Sequence, residues 1–283
     1  MSAIVAELPE FSEPLPPSHA SLDQVREVVK KLHDIQDSCA TLPRGRHDGV
    51  ACFDFLYTII TTNILDVLSG IDDEPVFHDN EFMATFDVAF ADRYLDAVGW
   101  GDDQTHPECW QTLEDHREDR YISPLIFAVA GVNAHINYDL PFAVVRACLE
   151  LDRELDTPEV HADYQLINWF FFKHMQQLRK HFEGRFEHEL ETSFVSVLEN
   201  WVGDALVVLA RDLAWSKALQ IWQVRNDEKA MARLAATRDH RVAMINKGLF
   251  ALDHIPNMAF QAMRCLPGPL GRMAGRGLAR TGW

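Results

Sequence analysis

The sequence predicts an all-α protein, a bundle-like domain of about eight helices. Three observations carry that expectation. Apolar residues recur at three- and four-residue spacing through most of the chain. No segment shows the two-residue alternation of a half-buried strand. Helix-starting residues, Ser, Asp and Pro, stand just ahead of the periodic runs.

Residues 1–19 contain Pro9, Pro14, Pro16 and Pro17 and read as an extended arm. Ser21 caps a helix over about 22–38, with Val25, Val28, Val29 and Leu32 on one face. After the loop at 42–48, Asp48 caps a second helix to Leu68. A third, over about 80–98, repeats Phe82, Phe86, Phe90 and Tyr94 every fourth residue, which makes one helical stripe. A short helix holds Trp110 and Leu113, and a longer pattern runs from Ser123 to Leu151. Pro158 opens a helix to about Phe182, Glu189 to Gln223 reads as a long helix broken near Gly203, and a last one covers about 227–250. The expected organisation is therefore an arm at 1–19, a helical domain at 20–253, and a C-terminal helix with a Gly/Arg-rich tail at 254–283.

Composition narrows the function. The formal charge is −17, from 26 Lys and Arg against 43 Asp and Glu. Such a chain repels a phosphate backbone and anionic membrane surfaces, so no nucleic-acid partner is expected. The most apolar stretch, Pro124 to Val132, is too short to cross a bilayer, so no membrane insertion is expected. The five cysteines are scattered, with no CxxC spacing, which fits neither a disulfide framework nor a cysteine zinc site and points to the cytoplasm. Met1 to Pro17 lacks the basic start of a signal peptide. The oligomeric state is left open.

One segment stands out chemically: Phe127-Ala-Val-Ala-Gly-Val-Asn-Ala-His-Ile-Asn-Tyr-Asp-Leu-Pro141. Four polar side chains interrupt an apolar helix, and burying each unpaired costs about 1–3 kcal/mol. Helical spacing superposes His135 on Asp139, and Asn133 on Asn137 on roughly the opposite face. Gly131, one turn before His135, leaves room for a ligand or a close helix. Pro141 lacks an N–H and disturbs the preceding turn, freeing a carbonyl near Asn137.

Three uses of the cluster compete. His135 and Asp139 can be two ligands of a divalent metal, zinc or a similar ion. Asp139 can orient His135 as a general base. The four residues can also bond one another and neighbouring helices without doing chemistry. The metal reading needs further ligands, for which His78, Asp79 and Asp163 are candidates, with His47 and His174 behind them. The leading expectation is a small-molecule enzyme with a semi-apolar interhelical pocket, acting by hydrolysis or cyclisation on a hydrophobic substrate. The alternative is a non-catalytic binding protein whose polar cluster is structural.

Zinc-dependent phospholipase C and related nucleases are all-helical and carry His, Asp four on, a Pro and a second His. This chain has His135, Asp139 and Pro141 but Ala143 at the last place, so a trinuclear site of that kind is not expected. A longer resemblance rests on Asp48-Gly-Val-Ala-Cys-Phe53 with Tyr57 and Thr61; Phe77-His-Asp79 with Phe82-Met83; Asp87-Val-Ala-Phe90 with Tyr94; residues 127–141; and Ala210-Arg-Asp-Leu-Ala-Trp215. Together these resemble an uncharacterised bacterial helical family, domain of unknown function 5995, over about residues 20–250. The resemblance implies an all-helical fold and a bacterial source, and no particular activity.

Arg211 shares a helix face with Asp204 and could bind a substrate carboxylate or phosphate; the plainer expectation is an ion pair with Asp139, Asp87 or Asp204. The acidic runs at 71–74 and 114–119 invite comparison with the diphosphate motifs of helical terpene synthases, but their third acid is misplaced and they read as solvated. Phosphate-loop, dinucleotide, nucleophile-elbow and HExxH motifs are lacking. Trp169-Phe170-Phe171-Phe172 reads as core or as a cavity wall.

Overall fold

The computed structural model describes residues 16–71, 77–102, 106–167 and 204–264, with the backbone alone at 204–209 and 255–264. Eight bounded α-helices lie among these residues, a further helical stretch covers 158–167, and none of them forms a strand. The all-α expectation holds. The helices are α1 His19–Ala40, α2 Gly49–Leu68, α3 Asn80–Ala97, α4 Glu108–His116, α5 Pro124–Ala134, α6 Leu140–Glu150, α7 (158–167), α8 Asp204–Gln223 and α9 Glu228–Arg264.

Local chemistry sets most of the boundaries. α1 starts three residues earlier than expected: Ser18, not Ser21, is the N-cap, and its hydroxyl accepts from Ser21 N–H at 3.1 Å. Ser21 is then free to bond Glu81 on α3, which ties the first helix to the third. Asp48 caps α2 as its position predicts, and its second oxygen holds Arg117 at 2.8 Å. α9 continues unbroken to Arg264, so the expected boundary near 254 falls inside one helix.

Acids also cap elements distant in sequence. Asp239 of α9 accepts from the backbone N–H groups of Glu108 and Cys109 at 2.7 and 2.8 Å, capping α4. Asp253 does the same for Ser123 ahead of α5. Buried backbone donors at helix starts need such acceptors, and a carboxylate supplies a charge-assisted one.

α1 packs on α2 and α3, α3 on α6, α6 on α8, and α9 covers α4 and α5. α5 lies against both α2 and α9, so the 123–151 segment is central. Its apolar positions are buried almost all round, as a core helix demands. Of the apolar helices, α2 and not Pro124 to Val132 has a length and hydropathy compatible with a bilayer span, although 56% of its most apolar window is buried here. Cys39, Cys52, Cys109 and Cys148 are buried, and none forms a disulfide among the described residues.

Candidate functional site

Between α5 and α6 the chain widens into a π-helical turn, His135–Asp139. Its cause is local. Pro141 has no N–H to give the Asn137 carbonyl, and its ring crowds the turn before it. A π turn rotates the side chains that follow relative to a regular helix, and such turns recur at functional sites.

His135 Nδ1 and Asp139 Oδ2 meet at 3.1 Å. The pairing expected from the spacing is therefore made. Asp139 is fully buried, and it also accepts from Trp110 Nε1 at 2.9 Å and Arg93 Nε at 3.2 Å. Those donors define Asp139 as a carboxylate and make Nδ1 the proton-bearing nitrogen of His135, because a carboxylate oxygen can only accept. Burial lowers the imidazole pKa below its usual value, with the Asp139 bond opposing the shift and Arg93 and Arg211 adding to it. Neutral His135 then carries its lone pair on Nε2, which is buried without a hydrogen-bond partner.

The imidazole sits in an aromatic box. Phe90 stacks flat on it at 3.5 Å, and Tyr57 and Phe53 stand edge-on at 4.5 and 5.5 Å. The every-fourth aromatic stripe of α3 delivers that stacking face. Gly131 does leave room, and the room is taken by α2: a Cβ there would overlap the Phe53 ring.

A cavity of about 40 Å³ opens beside the ring, walled by Phe53, Phe90 and Ile136 and carrying Asp87, His135 and Arg211. By size it admits a water or a small polar group. Asp87 is 3% exposed, its Oδ2 has no hydrogen-bond partner, and burial pushes the carboxyl up to about 7. Tyr57 OH and Thr61 Oγ1 are likewise buried. Burial, then the Asp87 carboxyl, raise the Tyr57 phenol well above its usual range.

Asn133 and Asn137 point elsewhere, as their offset from His135 around the helix requires. Asn137 Nδ2 donates to Asn133 Oδ1 at 3.0 Å, and Asn133 Nδ2 donates to Asn246 Oδ1 of α9 at 2.9 Å. Asn246 continues to the Cys109 carbonyl, and Lys217 of α8 donates to Asn137 Oδ1 at 3.2 Å. These amides lock α5, α8 and α9 together and do not line the His135 cavity.

Arg211 is 1% exposed, donates to the Tyr164 carbonyl at 3.1 Å and lies over the Tyr164 ring. Burial lowers its pKa. The Asp204 side chain lies outside the described residues, as do His174 and Trp169 to Phe172.

The remaining metal candidates form a separate cap. Asp163 accepts from His78 N–H, Asp79 N–H and His78 Nδ1 at 2.7, 2.9 and 2.8 Å, and Asp79 caps α3. Asp163 thus fastens α7 to the start of α3. Among the described residues no three His, Cys, Asp or Glu side chains form a set able to hold a metal. Both Asp139 oxygens already carry protein donors, which leaves that carboxylate poorly disposed as a ligand.

Residues 25–252 match a family of unknown function, DUF5995. The chain belongs to that family. No curated protein and no solved structure matches it. In this DUF5995 chain, the residues that sequence reasoning missed are Arg93, Trp110 and Asp87 as members of the site. Asp87 carried a usable signal, since it shares the apolar face of Phe90, Ala91 and Tyr94 and so was bound for the core. Trp110 carried none, because only the packing of α4 brings its indole to Asp139.

Proposed function

We propose that this protein is an acid–base enzyme acting on a small, largely apolar molecule. One observation carries the reading: the Nε2 of His135 and the Oδ2 of Asp87, both buried and both without a partner among the described residues, belong to side chains lining one cavity. Unpaired buried polar atoms are costly, and their concentration at one cavity is a mark of a working site.

The chemistry follows from the proton positions. His135 Nε2 takes the proton of a bound water or hydroxyl, while Asp139, held by Trp110 and Arg93, keeps Nδ1–H in place and stabilises the imidazolium. Asp87, protonated near neutrality, gives its proton to the leaving oxygen or to a carbonyl. In hydrolysis, water's oxygen bonds the carbonyl carbon, the bond to the leaving group breaks, and the proton on His135 then returns to Asp87. In cyclisation the same pair removes and supplies one proton. The cavity of about 40 Å³ holds the attacking water or the reacting polar group, and the substrate body lies outside it. The acidic surface and the free cysteines support action on small molecules in the cytoplasm, with neither nucleic acid nor membrane as partner. A metal is not needed for either course.

A second reading has its own support. Asp139 and the Asn133, Asn137 and Asn246 amides are fully engaged between helices, as a register-setting core network would be. His135→Gln separates the two. Assayed against short-chain p-nitrophenyl esters and lactones, an enzyme loses turnover while its melting temperature changes little. A structural network loses several degrees, and no ester or lactone turnover depends on His135.

A further inference from the structure

On a chain of charge −17, one groove is cationic. It is lined by α8 and α9, encloses about 880 Å³, and carries Lys217, Arg233, Arg238 and Arg241 with no Asp or Glu among its described walls. The nearby acids are committed elsewhere. Asp239 caps α4, Asp227 bonds Ala230 N–H at the start of α9, and Asp212 accepts from Gln165.

Two of the cations are held inward at a cost. Arg238 is 9% exposed, its Nε is buried without a partner, and its one bond is to the neutral Gln220 side chain at 2.9 Å. Among the described residues Lys217 bonds only the neutral Asn137 amide. Burial lowers the pKa of both, and repulsion from Arg241 adds to it. A buried guanidinium and a half-buried ammonium that line one groove without an acid among its described walls are an arrangement that an anion completes. Leu213 and Ile245, 50% and 49% exposed, extend the same groove with apolar surface.

We propose that this groove binds a phosphate-bearing small molecule with a short apolar body. Guanidinium forks match the several oxygens of a phosphate, and the volume falls in the range of small-ligand sites. The site is distinct from the His135 cavity, but Asn137 of the same π turn lines it, so its occupant bears on the lysine that steadies that turn.

Calorimetric titration of the full chain at low ionic strength tests this, with inorganic phosphate, pyrophosphate and octyl phosphate as probes. Octyl phosphate is expected to bind at least tenfold tighter than inorganic phosphate, and all three should weaken as sodium chloride is added. Arg233→Gln with Arg241→Gln, both at exposed positions, should weaken binding on the order of tenfold or more with no change in melting temperature. Lys30→Gln, at an exposed position of α1, should leave it unchanged. The proposal falls if no probe binds, if the double variant binds like the wild type, or if octyl phosphate binds no better than phosphate. Sedimentation with phosphatidic acid vesicles by a protein that ignores octyl phosphate would also overturn it, in favour of a membrane surface.

Discussion

Trp110 Nε1 donates to Asp139 Oδ2 at 2.9 Å, the same oxygen that His135 Nδ1 reaches at 3.1 Å. The indole therefore helps decide how firmly the carboxylate holds the histidine. Trp110→Phe keeps the ring contacts with Phe53 and removes the donor. It is expected to destabilise the fold by about 1–3 kcal/mol, read by chemical denaturation.

Asp139→Asn tests the proton assignment. Arg93 holds Oδ1 while Trp110 and His135 share Oδ2, so an amide that keeps its oxygen on Arg93 turns its N–H₂ to His135 at the expense of the Trp110 bond, and the imidazole proton moves to Nε2. Long-range ¹H–¹⁵N correlation should show Nδ1 as the protonated nitrogen in the wild type and Nε2 in the variant. Any turnover that uses Nε2 as base should fall by about 10²-fold or more. An unchanged tautomer would refute the assignment.

Gly131→Ala probes the closeness of α2. The new methyl would overlap Phe53. A cost of about 1–3 kcal/mol is expected, typical of overpacking a filled core. Thermal melting at one pH measures it, and a neutral result would mean that Phe53 yields freely.

Asp87 makes stability depend on pH. Its folded pKa is raised to about 7 from 3.8, so the unfolded chain ionises first as pH rises. Stability contributed by the protonated carboxyl is full below pH 4 and is lost progressively up to about 7, on the order of 4 kcal/mol at most. His135, with its pKa lowered, acts oppositely in a lower window: its contribution grows as pH rises towards 6.5 and is constant above it. Asp87→Asn should therefore gain melting temperature relative to the wild type at pH 8 and not at pH 4. Equal differences at both values would place the Asp87 carboxyl in water.

How far the sequence reaches is visible in these same residues. The His135–Asp139 and Asn133–Asn137 pairs were legible because four-residue spacing on a helix brings side chains together whatever surrounds it. Asp48 as a cap, the α3 aromatic stripe and the all-α class followed from equally local rules. The α1 start shifted from Ser21 to Ser18 because either serine can cap, and in the fold Glu81 of α3 binds both of them. Tertiary structure alone decided the rest. Phe90 reaches His135, Trp110 and Arg93 reach Asp139, and Asp163 reaches His78 only after helices far apart in sequence have packed. It also divided the four polar residues between two tasks, His135 and Asp139 beside a cavity and Asn133 and Asn137 between helices. Which groups are left buried and unpaired depends on every neighbour at once, and no single segment of the chain contains that information.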